Sequence, residues 1–254
     1  MNKKLVLFAV ILLIAGSIYY LEKAKIKPKE DIQIPVEEKD PEISLKEGKY
    51  QKAPELTGIV GYINTNENLK ISDLKGKVVL IDFWTYTCIN CIRTLPQLTN
   101  WHEKYKDKGL IIIGVHTPEF EFEKNYDNVK NAVEKYNIKY PVVQDNSYAT
   151  WHAYKNRFWP HKYLIDSDGF IRWDHVGEGG YEETELRIQQ LLSEIGTVIS
   201  NMPTSRLKDL TPKLTQTPEL YAGYEFALPR SQDIGNKEGL QPEKSINYVL
   251  PDKI

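Results

Sequence analysis

Cys88 and Cys91 are the only cysteines in 254 residues, and they stand three apart in the stretch TYTCINC, Thr85 to Cys91. Two thiols at that spacing on one helical turn can close a small disulfide ring, so the pair can cycle between dithiol and disulfide. Two rival chemistries use the same residues. A zinc site normally takes four ligands; the chain has no second CxxC, and His102, His116, His152, His161 and His175 show no paired ligand spacing, so no metal is expected. A permanent staple is the other, but a ring closing so few residues removes little entropy from the unfolded chain.

The elements around the pair decide what it can do. VVLIDFW, Val78 to Trp84, is an apolar run of strand length, as for a central strand buried on both faces. After it, Ile92, Leu95, Leu98 and Trp101 recur at helical spacing. The cysteines therefore fall where a buried strand ends and a helix begins. Amides of a first helical turn are unpaired and concentrate positive potential, which favours a thiolate there. Cys88, at the outer end, is the expected attacking thiolate; Cys91, one turn inward, is placed to resolve a mixed disulfide.

The wider pattern supplies the rest of a sheet. Strands are expected over Leu110–Val115, Tyr140–Val143, Lys162–Asp166 and Phe170–Trp173, the last two joined by a Ser167-Asp168-Gly169 turn. Helical spacing appears at Val129, Val133 and Tyr136, and again from Glu182 to Glu194. This is an α/β plan: a central mixed sheet, parallel at the first crossover and antiparallel at the hairpin, with helices on both faces. Hydrophobic content of 41% can build its core, and a formal charge of −2 gives no reason to expect nucleic acid as a partner. No Walker loop, HExxH or GxGxxG is present, and no cofactor is expected.

The flanking segments have a different composition. Lys3 and Lys4 precede an uncharged run, Leu5 to Leu21, so residues 1–21 read as a membrane anchor or, alternatively, a cleaved export signal. Lys23, Lys25, Lys27 and Lys29 follow it, which the positive-inside rule does not favour for an exported C-terminus. Residues 22–55 are rich in Lys, Glu and Pro and are expected to be a linker. Residues 56–196 form the expected catalytic domain, and 197–254 a C-terminal extension.

WTYTCINCIRTLP, with the strand before it and FWPHKYLIDSDG after it, resembles the thioredoxin superfamily, as do GVHTPEFEFEKN, YPVVQD and VGEGGY. Within it the chain is similar to exported TlpA/ResA-type thiol–disulfide oxidoreductases and to the C-terminal thioredoxin-like (redoxin) domain of DipZ proteins. The resemblance implies a thioredoxin-like three-layer fold. It makes Cys88 the nucleophile and Cys91 the resolving cysteine of a redox disulfide. Asp82 matches the buried acid that assists the resolving thiol, and without a partner its pKa would rise toward neutrality; the alternative is a strand carboxylate tied to a backbone group or a lysine. Trp84 and Trp159 match substrate-binding aromatics, Pro160 the cis-proline that presents backbone to a substrate, and Pro96 a kink in the active-site helix.

The resemblance further implies a disulfide-containing protein substrate. It also implies a separate membrane electron donor of CcdA/DsbD type, since the polytopic domain common in DipZ proteins is replaced here by one apolar segment. The tail TPELYAGYEFALPRSQD is similar to the start of the β-rich module that follows in such chains. The expected product is an extracytoplasmic, membrane-tethered oxidoreductase working in the reducing direction. Two alternatives stay open. Thr85-x-x-Cys88 matches half of a peroxiredoxin signature, although Ile81 stands where its proline belongs, and a redox-inactive partner-binding module is the other. Glu119, Glu121, Glu123 and Glu178 are candidates for loops bordering the site, against the plain reading of solvated charges.

Overall fold

The computed structural model describes residues 3–23, 41–199 and 202–212, without the side chains of residues 3–11, 21, 41 and 42. The helices α1 (Lys3–Lys23) and α2 (Pro41–Glu47) precede the sheet. Then follow β1 (Gly61–Ile63), β2 (Val78–Trp84), α3 (Ile89–Tyr105), β3 (Leu110–His116), α4 (Tyr126–Lys135) and β4 (Val142–Gln144). The remainder is α5 (Ala149–Ala153), β5 (His161–Ile165), β6 (Ile171–Val176) and α6 (Tyr181–Glu194).

The strands form one mixed sheet in the order β1-β4-β3-β2-β5-β6. β2, β3 and β4 are mutually parallel neighbours, whereas β1, β5 and β6 join antiparallel. Both parallel crossovers step the same way across the sheet. Right-handed connections therefore put α3 and α4 on one face.

Every residue of β2 is buried, and its alternation divides the core in two. Val78, Leu80 and Trp84 join Cys91, Leu95, Leu98 and Trp101 of α3, Val129 and Val133 of α4, and Ile188, Leu191 and Leu192 of α6. Val79, Ile81 and Phe83 join Trp151 of α5, Tyr154, Tyr163 and Ile165. Each fully buried aliphatic side chain contributes about 1.5–3 kcal/mol, so this central strand anchors everything attached to its end. Helices α3, α4 and α6 thus share one face. The other is covered by short α5 and by residues from the stretch before β2, among them Leu56, Ile59, Leu69 and Ile71.

Three short elements were not legible as such in the sequence: α2, seven residues long, β1, three, and α5, five. The stretch read as linker differs at its far end. Lys46 of α2 bonds Asp168 at 2.5 Å, Ala53 N donates to Gly169 O at 2.9 Å, and Ile171 N donates to Gln51 O at 2.9 Å. These contacts hold residues 46–53 on the β5–β6 hairpin, because a hairpin edge leaves backbone groups that need partners. Residues 24–40 lie outside the described residues, as does the tail from 213 on with its expected module.

Residues 202–212 pack on the domain. Glu185 of α6, almost wholly buried, accepts from Trp101 Nε1 (3.1 Å), Lys104 Nζ (2.6 Å), Tyr105 Oη (2.7 Å) and Ser205 N (2.7 Å). At the N-terminus, residues 12–20 of α1 are exposed. Among the described residues no helix is long and apolar enough to cross a membrane; the side chains of residues 5–11, within the expected anchor, lie outside them.

Candidate active site

β2 ends at Trp84, the chain turns through Thr85–Thr87, and Cys88 becomes the N-cap of α3 with extended backbone angles. Cys88 O accepts the helix's first bond from Ile92 N at 3.0 Å, while its sulfur accepts from Cys91 N at 3.3 Å. A cysteine thus occupies the place where Ser or Asp usually satisfies a free amide, and a negatively charged sulfur suits it better than a neutral one. α3 continues through Pro96.

The two thiols are free, and their environments separate them. Cys88 is half-buried; a hydrogen bond from the Cys91 thiol, helped by the amides of Cys91 and Asn90, holds it below the ordinary thiol range despite its partial burial. Cys91 has no accessible surface, and burial together with donation to Cys88 pushes its thiol well above that range. One sulfur is ready to attack. The other needs a base.

Asp82 shares the Cys91 face of the sheet, having the same parity on β2 as Leu80 and Trp84. It is fully buried, neither carboxyl oxygen has a hydrogen-bond partner among the described residues, and burial raises its pKa to about 6. The alternative of a strand carboxylate beside a lysine describes its surroundings. Lys162 Nζ, equally buried, lies 3.8 Å from Asp82 Oδ1, beyond hydrogen-bond reach but within ion-pair range, and opposes the rise. Sequence reasoning missed Lys162, although a lysine inside the all-buried strand β5 was its signal.

Trp84 also departs from expectation. It has no accessible surface, and its ring meets His116 edge-on at 5.4 Å, so it supports the site from beneath and offers no face to a substrate. A Cβ on Gly114 would come within 3.0 Å of Trp84 Nε1, which is why β3 carries glycine where it passes this ring. Trp159 is partly exposed; its ring lies 4.2 Å from that of Trp151, and its Nε1 donates to Thr117 O at 3.1 Å. The Trp159–Pro160 peptide bond is cis. Phe83 stands opposite His161 in the β2–β5 pairing, which brings Pro160 level with Trp84, where the chain leaves β2 for Cys88.

The acidic loop residues divide. Glu123 is buried, accepts from Thr87 Oγ1, and receives the amides of Glu119 (2.6 Å) and Phe120 (2.9 Å). Burial works against its charge, but these bonds hold its carboxyl below the usual range. It is a clasp between the cysteine turn and the loop bearing Phe120 and Phe122, both about half exposed at 49% and 54%. Glu178 binds Arg93 of α3 at 3.1 Å. Glu121, paired with Lys124 at 2.6 Å, is a solvated charge as the plain reading had it. Thr85 Oγ1 lies 3.3 Å from Nε2 of His116, whose pKa burial lowers to about 4. No group of three or more His, Cys, Asp or Glu among the described residues could hold a metal ion.

A mixed sheet carrying two cysteines on the first turn of a helix, opposite a cis-proline, defines a thioredoxin-like fold. Residues 50–174 match the AhpC/TSA family. Over 175 residues the chain is 47% identical to Protein DipZ of Mycobacterium tuberculosis, covering 67% of this chain and 25% of that protein. It thus spans about a quarter of that relative's length. It is 31% identical to the thiol-disulfide oxidoreductase YkuV of Bacillus subtilis, covering 57% of this chain and 96% of YkuV. A solved structure of a thioredoxin-like protein in the oxidized form superposes with a TM-score of 0.53 at 30% identity, covering 57% of this chain and 97% of that one. The chain belongs to the thioredoxin-like thiol–disulfide oxidoreductases.

Proposed function

We propose that the protein reduces disulfides in other proteins by dithiol exchange through Cys88 and Cys91. The observation that carries this is the asymmetry of the two thiols, one capped by an amide and half-exposed, the other sealed beneath it. The Cys88 thiolate attacks one sulfur of a substrate disulfide; that bond breaks and a substrate thiolate leaves, forming a mixed disulfide. Cys91 gives its proton to Asp82 and attacks Cys88 Sγ. The mixed disulfide breaks, the second substrate thiolate departs, and Cys88 and Cys91 end as a disulfide. Two electrons have passed to the substrate. A reductant of dithiol class, expected in a membrane partner of CcdA/DsbD type, restores the pair.

The domain reading goes with this: a catalytic unit over 56–196, steadied by residues 46–53 and 202–212, and held by residues 1–21 at a membrane with the enzyme on the extracytoplasmic side. The uncharged run Leu5–Leu21 after Lys3 and Lys4 supports the tether. Trp159, Pro160 and the rim of Ile89, Phe120 and Phe122 supply the surface for an extended substrate, the last three being exposed and apolar. Replacing Cys91 by Ser tests the exchange: it should trap mixed disulfides through Cys88, and failure to trap any sinks the reading. A redox titration of the pair tests the direction, since about 30 mV is tenfold in equilibrium.

The AhpC/TSA match favours a second reading, a thiol peroxidase. Against it, the Thr85 hydroxyl is buried and engaged by His116. Rapid oxidation of Cys88 to a sulfenic acid by hydrogen peroxide would favour it.

A further inference from the structure

His161 follows Pro160 directly, opens β5, and takes no part in the exchange steps. It is buried beside Tyr163, the two ring centres lying 4.1 Å apart. Both of its ring nitrogens meet acceptors. Nδ1 stands 2.6 Å from Asn156 Oδ1, and Nε2 stands 2.9 Å from Asp174 Oδ2. The Asn156 oxygen is an acceptor by necessity, because the nitrogen of the same amide donates to Phe158 O at 3.1 Å. A charged ring has a proton for each contact; a neutral ring has one for both.

Burial decides where a single proton goes. The Asp174 side chain is 55% exposed, so water can satisfy its carboxylate when the ring does not. Asn156 is only 4% exposed, and an amide oxygen left there without a donor is costly. Among the described residues Tyr163 Oη also comes near, but it lies 3.4 Å away and equally far from Tyr154 O. The proton therefore belongs on Nδ1. That bond reaches the substrate surface. Asn156 N donates to Trp151 O at 2.9 Å and Asn156 Nδ2 to Phe158 O, so one buried side chain ties α5, the exposed Phe158 and the start of β5 together. Trp159 and Pro160 lie between these anchors.

We propose that His161 is a positioning residue for substrate binding: its Nδ1–H, acting through Asn156, sets the loop that presents Phe158, Trp159 and Pro160 to a disulfide-containing protein. This rests on the dithiol-exchange reading and on the surface assigned there to Trp159 and Pro160. No bond of the exchange is made or broken at His161. The charged and titratable groups around it leave the ring one proton at pH 8. Burial lowers its pKa, the bond and charge of Asp174 on β6 oppose that, and Lys162 and His175 add to it. Tyr154 and Tyr163 are raised by burial and stay neutral, and Lys155 and Arg157, on either side of Asn156, are exposed.

Two measurements on the full chain test this. Nitrogen NMR of the ring at pH 8 should show the proton on Nδ1 and a bare Nε2; a neutral ring protonated at Nε2 overturns the proposal. Steady-state reduction of insulin above the background of the dithiothreitol that supplies electrons then compares wild type, His161→Asn, His161→Gln and Asp174→Ala. An asparagine amide can set its nitrogen near the place of Nδ1, whereas glutamine reaches the place of Nε2. His161→Gln should raise KM for insulin about five- to tenfold with kcat within about twofold, the mark of lost binding. His161→Asn should restore KM to within about twofold of wild type, and Asp174→Ala should leave it there. Each variant should reduce a small aromatic disulfide within about twofold of the wild-type rate, because Cys88 is untouched. Equal losses in His161→Asn and His161→Gln, or a lower kcat on both substrates, would mean packing alone and overturn the proposal. Should His161→Gln fail to fold, Asn156→Ser replaces it, with the same rise in KM expected and an unchanged KM overturning. Failure of the exchange reading looks different: wild type itself would leave insulin oxidised, and the proposal falls with it even if the proton sits on Nδ1.

Discussion

The amide of Cys91 points at the sulfur of Cys88 from 3.3 Å, so the buried cysteine caps the half-buried one through its backbone. The same helical turn fixes their spacing, donates to the thiolate and buries the second thiol. A single backbone bond thereby couples the reactivity of one cysteine to the placement of the other.

The first consequence is selective alkylation. With its thiol held below the ordinary range, Cys88 should react with iodoacetamide well below pH 8.5, while Cys91 stays unmodified in the folded protein. Mass analysis after timed alkylation at several pH values checks this. Equal labelling of both cysteines with one common midpoint would contradict it.

Asp82 should make the protein less stable as pH rises. Its folded pKa of about 6 exceeds the unfolded value near 3.9, so the folded state binds the extra proton between those values. Its unfavourable contribution is absent below about pH 4, grows through that window and is complete above pH 6, amounting to roughly 2–3 kcal/mol. The stability of Asp82→Asn relative to wild type should shift by that amount in the variant's favour between pH 4 and pH 8. Urea unfolding of both proteins across the range is the measurement.

Glu185 has the opposite sign. Burial opposes its charge, but bonds from Lys104, Ser205 and Tyr105 hold its carboxyl below the ordinary range. The stability it contributes is present above the unfolded pKa near 4.3 and is lost as pH falls through the lower folded one. Glu185→Ala removes one side of a buried network and should cost about 3–5 kcal/mol near neutrality. Hydrogen exchange at Ser205 should accelerate with it, because that amide donates to the lost carboxylate at 2.7 Å.

The aromatic rim should matter for proteins and not for small disulfides. Phe120 and Phe122 stack at 5.6 Å, and Tyr86, two residues before Cys88, meets Phe122 edge-on at 6.4 Å. The double change Phe120→Ser and Phe122→Ser should raise KM for a protein disulfide about five- to tenfold, roughly 1–1.4 kcal/mol. Turnover of an aromatic small-molecule disulfide should stay within about twofold. Equal losses on both substrates would mean the loop shapes Cys88 instead of receiving a partner.

Much of this site was legible in the chain itself. β2 runs over Val78–Trp84, the span expected from its unbroken apolar run, and helical spacing from Ile92 to Trp101 marked α3. Strand period and helix period are local properties, written into consecutive residues. β1 and α5 went unread because three and five residues are too few to show a period. Trp84 matches a substrate contact by type and position, but neither reveals depth, and the sheet holds it out of solvent.

The sequence by itself determined the chemistry: two thiols three apart, between a buried strand and a helix, with an acid six residues upstream on the strand. Spacing along a regular element sets which residues share a face, so that much follows from order alone. Tertiary structure alone decided what surrounds them. Lys162 reaches Asp82 across 80 residues of chain, and Glu123 clasps Thr87 across 36. Such pairs arise from strand register and loop closure, and the energy that fixes them is the burial of a core shared by the whole domain. Local pattern carried the reactive groups; long-range packing set their proton affinities, because desolvation and neighbouring charge depend on distance in space.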